Sequence, residues 1–185
     1  MCSYVISNKI NNKQIEHQNY IARQNHDHEE YNRLTKLMYN ANMVRLDIAT
    51  ALFHSIRNLK ESLPNKYLYI IPINKNYYNI IESLSSNLSF TELSDLYQLY
   101  AILDKVNKDI YSYNLNLEED INSLKVGFDT ILYKVYGERY KEVLKVDVDK
   151  ISFEQLIDNN MILENYKNIL SKLNIICSPI EQNNS

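Results

Sequence analysis

Histidines and carboxylates crowd one short stretch of this 185-residue chain: His26, Asp27, His28, Glu29 and Glu30, with His17 upstream. Imidazole and carboxylate oxygen are ligands for divalent transition metals, so metal-assisted chemistry is the first to consider here. Geometry argues against it if the stretch is helical. Two histidines at i and i+2 then point about 200° apart and cannot share one ion. The same residues read well as a helix start, because Asp27 and Glu30 stand three apart, as an N-cap and its N3 partner do. No metal ligand is assigned, and no cofactor.

A second group lies inside the apolar window Ala41–Ile56 and just beyond it: Arg45, Asp47, His54 and Arg57. Asp47, His54 and Glu61 are spaced by sevens, which places them along one edge of a helix. An Asp–His–Arg edge can bind an anion or move a proton. Asp47 and His54 are about 10 Å apart along a helix axis, too far for a direct hydrogen bond. Salt bridges to neighbouring helices are the plainer reading. With the surplus apolar residues beside them, this edge gives the candidate binding surface: Met43, Arg45, Leu46, Asp47, Phe53, His54, Arg57 and Glu61. No catalytic residue is named.

The adjacent pair His26-Asp27 resembles the HD pair of the HD-type phosphohydrolases, which are all-helical. The resemblance covers those two residues, with His17 close by for the family's first histidine. It implies metal-dependent phosphoester hydrolysis at His26, Asp27 and His28, and this is kept as the alternative to a non-enzymatic function. A nucleophile has no context: Cys2 and Cys177 lie near the two ends, and no serine sits in a GxSxG elbow. Tyrosines beside lysines, as in Tyr133-Lys134 and Tyr140-Lys141, can stack on bases, which gives nucleic-acid binding as a second alternative. The net charge of −3 weighs against that reading, which needs a basic face.

Only two glycines occur, Gly127 and Gly137, so glycine-rich phosphate loops are excluded and tight-turned β folds are disfavoured. Two distant cysteines fit a reducing compartment. The first dozen residues lack the basic-then-apolar order of a signal peptide, and no window is apolar enough to span a bilayer. A cytoplasmic protein is expected. Abundant Asn, Ile, Lys and Tyr, all with A/T-rich codons, point to an AT-rich genome.

The elements that must position these residues follow from apolar spacing. Residues 1–26 read as a polar arm. A long helix is expected from Asp27 to about Ser62, stopped by Pro64 and on the order of 54 Å long. It is apolar on several faces between Ala41 and Ile56, which predicts a deeply packed middle. The segment 66–73 (KYLYIIPI) reads as an extended crossover or edge strand. Ser89 with Glu92 forms a capping box that opens the stripe Leu96, Leu99, Leu103 and Val106. A second stripe, Leu117 to Val135, follows as a helical hairpin, with one continuous helix of slipped heptad as the alternative. Gly137 suits a helix C-terminus. Ser152 with Gln155 opens a last helical stretch, broken near Asn159 and Asn160, and the tail from Ser178 reads as disordered.

These features predict an all-α protein: an antiparallel bundle of about five helices, with coiled-coil-like packing, in a single domain over 27–177. The function expected is a non-enzymatic protein–protein interaction or regulatory module, self-associating or bound to a protein partner, with no membrane and no small-molecule substrate.

Overall fold

In the computed structural model, residues 2–60, 68–113 and 118–178 are described, with side chains from Lys13 onward. The protein is all-α, a bundle of helices: every regular element among these residues is helical. They run α1 (Cys2–Lys60), α2 (Tyr77–Ser83), α3 (Phe90–Ser112), α4 (Glu118–Tyr136), α5 (Tyr140–Val143), α6 (Phe153–Ile157) and α7 (Glu164–Cys177), with single 3-10 turns at Gly137–Arg139 and Val148–Lys150. The chain divides into two compact units, Met1–Met38 and Tyr39–Ser185.

The first unit is one stretch of α1. Asp27 lies inside that helix, so the cap expected at Asp27 and Glu30 is not its start. The reason is chemical: residues 2–26 contain neither proline nor glycine, and polar residues such as Asn and Gln weaken a helix without stopping it. Glu30 turns forward instead, pairing with Arg33 at 2.7 Å one turn on. Of the side chains from Lys13 to Met38, none is buried.

The second unit holds the core. From the later turns of α1, Ala41, Val44, Ile48, Leu52 and Ile56 are fully buried, as the long apolar stripe predicts. The all-round apolar character is resolved more finely. Ala49 and Ala51 are buried, Met43 and Phe53 half-buried, and Leu46 is 48% exposed. α3 and α4 form the predicted hairpin rather than one helix. They bury Leu96, Leu99, Leu103 and Val106 from one stripe and Leu124, Phe128, Ile131 and Val135 from the other. They approach so closely that a Cβ on Gly127 would lie 2.7 Å from Val106 Cγ2.

The caps explain the helix boundaries. Ser89 and Glu92 make the reciprocal capping box of α3, and Ser152 and Gln155 that of α6. Gly137 follows α4 at φ +60°, the left-handed conformation in which glycine ends helices. The chain then returns through α5 and α6 under specific ties: Tyr136 OH donates to the Leu156 carbonyl, and the Leu163 N–H to the Val135 carbonyl. Residues 68–74 form neither helix nor strand and cross the bundle as a strap. Glu61, Leu117 and the tail from 179, named in the sequence reading, lie outside the described residues.

Candidate functional site

The strap explains most of the polar edge on α1. Asp47, His54 and Asn58 stand seven and four residues apart, so one side of the helix presents all three. Asp47 is buried, and its Oδ2 accepts from Tyr100 OH at 2.8 Å and from the Asn74 N–H at 3.3 Å. His54 stacks on Tyr69, with ring centroids 5.8 Å apart, and meets Phe53 edge-on. Arg57 lays its guanidinium over the Tyr69 ring at 4.6 Å, and Asp149 is 3.8 Å from it. Asn58 bonds both the N–H and the C=O of Tyr69, and Asn107 on α3 does the same for Ile71. Together these side chains seat the strap.

No cation faces Asp47 in these contacts. Burial raises its carboxyl above the usual range, and the bonds from Tyr100 and Asn74 only partly offset this. Burial and the carboxylate in turn push the Tyr100 phenol far up. Tyr100 also stacks on Tyr77 at 4.5 Å, and Tyr77 OH donates to Asp104 at 2.9 Å. His54 is lowered by burial and then by Arg57, which favours a neutral ring, and its Nδ1 is buried with no partner among the described residues. Asp47 and His54 thus touch different parts of the strap, not each other. They form no acid–base relay.

Arg45 and Leu46 look elsewhere. They border a groove between α1 and the α6–α7 region, made of two adjoining clefts of about 250 and 260 Å³ that share Arg45, Glu154 and Ile157. Ile157, Ile162 and Leu170 supply apolar lining, while Glu154, Asp158 and Lys167 supply mixed charge. Phe53 packs edge-on against Phe153 at 5.4 Å. Of the candidate residues, then, the structure brings Asp47, His54 and Arg57 to the strap, and Arg45 and Leu46 to the groove.

Sequence reasoning missed Asn58, Asn107, Tyr77 and Tyr100, which complete the strap's seat. The available signal was position: Asn58 and Asn107 sit at helical spacing from core residues, where an amide needs a buried partner. In the first unit, His26 and His28 are exposed on continuous helix. Among the described residues no three His, Cys, Asp or Glu side chains come together as a metal site. Among the same residues, no helix is long and apolar enough to cross a membrane. No protein-family model, curated protein or solved structure matches the chain.

Proposed function

We propose that this protein is a non-enzymatic helical interaction module that self-associates, using the first stretch of α1 as a contact helix. The observation that carries this is the absence of any buried side chain between Lys13 and Met38, although Ile15, Tyr20, Ile21 and Tyr31 are apolar or aromatic. A single helix cannot bury its own side chains. Helices in water draw most of their stability from packing, and this one is rich in poor helix formers such as Asn19, Asn25 and Asn32. A partner helix supplies what the sequence lacks. The groove beside Arg45 and Leu46 supports the same reading, since an apolar lining with a charged border is how interfaces are built.

Light scattering of the purified chain tests the proposal. An oligomer is expected, and Ile21→Glu lowers its mass toward that of one chain. A monomer that binds no hydrophobic dye overturns it. Elemental analysis separates this reading from the phosphohydrolase alternative: stoichiometric transition metal, lost in a His26→Ala, His28→Ala variant, would replace the interaction module with a metalloenzyme.

A further inference from the structure

Tyrosines of the second unit run ring to ring from the surface into the core. Tyr97 on α3 lies 5.9 Å from Tyr78 on α2 by ring centroids, and Tyr78 lies 4.2 Å from Tyr77. Tyr77 in turn stacks on Tyr100 of α3 at 4.5 Å, the two planes within 11° of parallel. Successive residues of a helix point about 100° apart and do not face each other, so helical spacing alone does not produce the Tyr77–Tyr78 contact. The outer pair is open to water, with Tyr78 at 59% and Tyr97 at 37% exposure, while Tyr77 and Tyr100 are buried.

The inner pair also has what the oxidation of a phenol needs. A phenol that gives up an electron becomes strongly acidic, and it settles as a neutral radical when a base within hydrogen-bond reach takes its proton. Tyr77 OH donates to Asp104 Oδ2 at 2.9 Å, and Tyr100 OH donates to Asp47 Oδ2 at 2.8 Å. Burial holds the Asp47 carboxyl above its usual range, so it takes a proton more readily than an ordinary carboxylate. The transfer also exchanges a buried anion for a neutral acid, which a low-dielectric site favours.

We propose that this row is a redox site, at which a diffusible one-electron oxidant takes an electron from Tyr78 or Tyr97 and the oxidised centre passes ring to ring to Tyr100. The O–H bond of Tyr100 breaks, an O–H bond forms on Asp47, and the electron leaves with the reduced oxidant. Tyr100 is left as a neutral phenoxyl radical. Burial then protects it, because Tyr100 is 0% exposed and its ring cannot couple with a phenoxyl on another molecule. Radicals on exposed rings such as Tyr31 and Tyr111 have no such protection.

The test oxidises the full chain, carrying Cys2→Ser and Cys177→Ser so that no thiol competes. Flash-generated tris(bipyridine)ruthenium(III) is the oxidant, and tyrosyl radical is followed by transient absorbance and electron paramagnetic resonance. A short-lived signal from exposed tyrosines and a separate long-lived signal are expected. The long-lived signal should be lost in Tyr100→Phe and unchanged in Tyr133→Phe, an exposed ring outside the row. Its absence from the parent chain, or its persistence in Tyr100→Phe, overturns the proposal. If Tyr100→Phe changes the helical circular dichroism, Tyr78→Phe and Asp47→Asn decide instead. Tyr78→Phe breaks the relay at the surface and should lower the yield of the long-lived radical. Asp47→Asn removes the proton acceptor and should abolish that radical. A long-lived signal unchanged in either variant overturns the proposal.

Discussion

Asp47 and Asp95 each tie separate pieces of the second unit together, among the described residues one without a cation and one with. Asp95 on α3 takes Lys134 of α4 on Oδ1 at 2.9 Å and Asn165 of α7 on Oδ2 at 2.8 Å, while its carbonyl accepts from Tyr166 OH at 3.0 Å. Burial pushes the Asp95 carboxyl up, but Asn165 and Lys134 outweigh it and hold it below the ordinary value. Asp47 has a phenol and a backbone N–H where Asp95 has an ammonium, so burial prevails and its carboxyl is raised. The difference lies in what each group fastens. Asp95 joins helices that already share an apolar interface, whereas Asp47 joins a helix to a strap whose apolar side chains are mostly left part-exposed, Ile71 alone being buried among residues 68–74.

The strap should therefore be the weaker region per residue and the more dependent on single polar contacts. The largest effect is expected from Asn107→Ala. It strips both partners from Ile71, a residue 1% exposed, and leaves an N–H and a C=O unpaired. At about 1–3 kcal/mol for each buried group left unsatisfied, a loss on the order of 2–6 kcal/mol follows. Urea unfolding measures it. Asn58→Ala should lose less, because Tyr69 is half-buried and water can reach the freed groups. A loss for Asn107→Ala below that of an exposed control such as Asn79→Ala would mean the amide does not hold the strap.

Next in size is Lys134→Met, which removes the cation from Asp95 and keeps the length of the side chain. Asp95 then keeps Asn165 but loses the one cation that helps offset its burial in these contacts, and a loss of about 1–3 kcal/mol is expected at neutral pH. Restoring balance with Asp95→Asn in the same chain should recover part of it, since a neutral amide needs no counter-charge. If the double variant is no more stable than Lys134→Met alone, the ion pair is not what this knot depends on. Tyr100→Phe comes below this. It deletes one bond to Asp47 and leaves the ring stack on Tyr77 in place, so about 1 kcal/mol is expected.

How much of this was legible in the sequence follows from the range of the forces involved. The capping boxes at Ser89 and Ser152 and the break at Gly137 are local, set within three or four residues, and each appears where the pattern placed it. The buried stripes of α3 and α4 are also local in origin, because periodicity fixes the inward face. The start of α1 was misplaced because Asp27 and Glu30 satisfy a capping pattern that a continuing helix has no use for. The strap's seat was unreadable for a different reason. Asp47 meets Tyr100 across 53 residues and Asn107 meets Ile71 across 36. No spacing rule reaches that far. What the sequence did carry was the oddity of a carboxylate and asparagines among core positions, a sign that partners must exist without a sign of which.

The finest test of the comparison is pH, where the two carboxylates should move in opposite directions. Asp47 holds its proton more tightly folded than unfolded. Its contribution is complete below the unfolded value of about 3.9 and falls away as pH rises through its raised folded value. Asp95 releases its proton more readily when folded. Its contribution is present above about 3.9 and is lost as pH falls through the lowered folded value. Asp47→Asn and Asp95→Asn each remove one titration while keeping an oxygen to accept bonds. Relative to the parent chain, Asp47→Asn should gain stability as pH rises from 4 to 7, whereas Asp95→Asn should lose it as pH rises toward about 4 from below and change little above that. Differences of about 1 kcal/mol or less are expected, resolvable as shifts in urea midpoint across a pH series. Parallel slopes for the two variants would mean that a charge outside the described contacts faces Asp47. The strap would then be held electrostatically, as the α3–α4–α7 knot is.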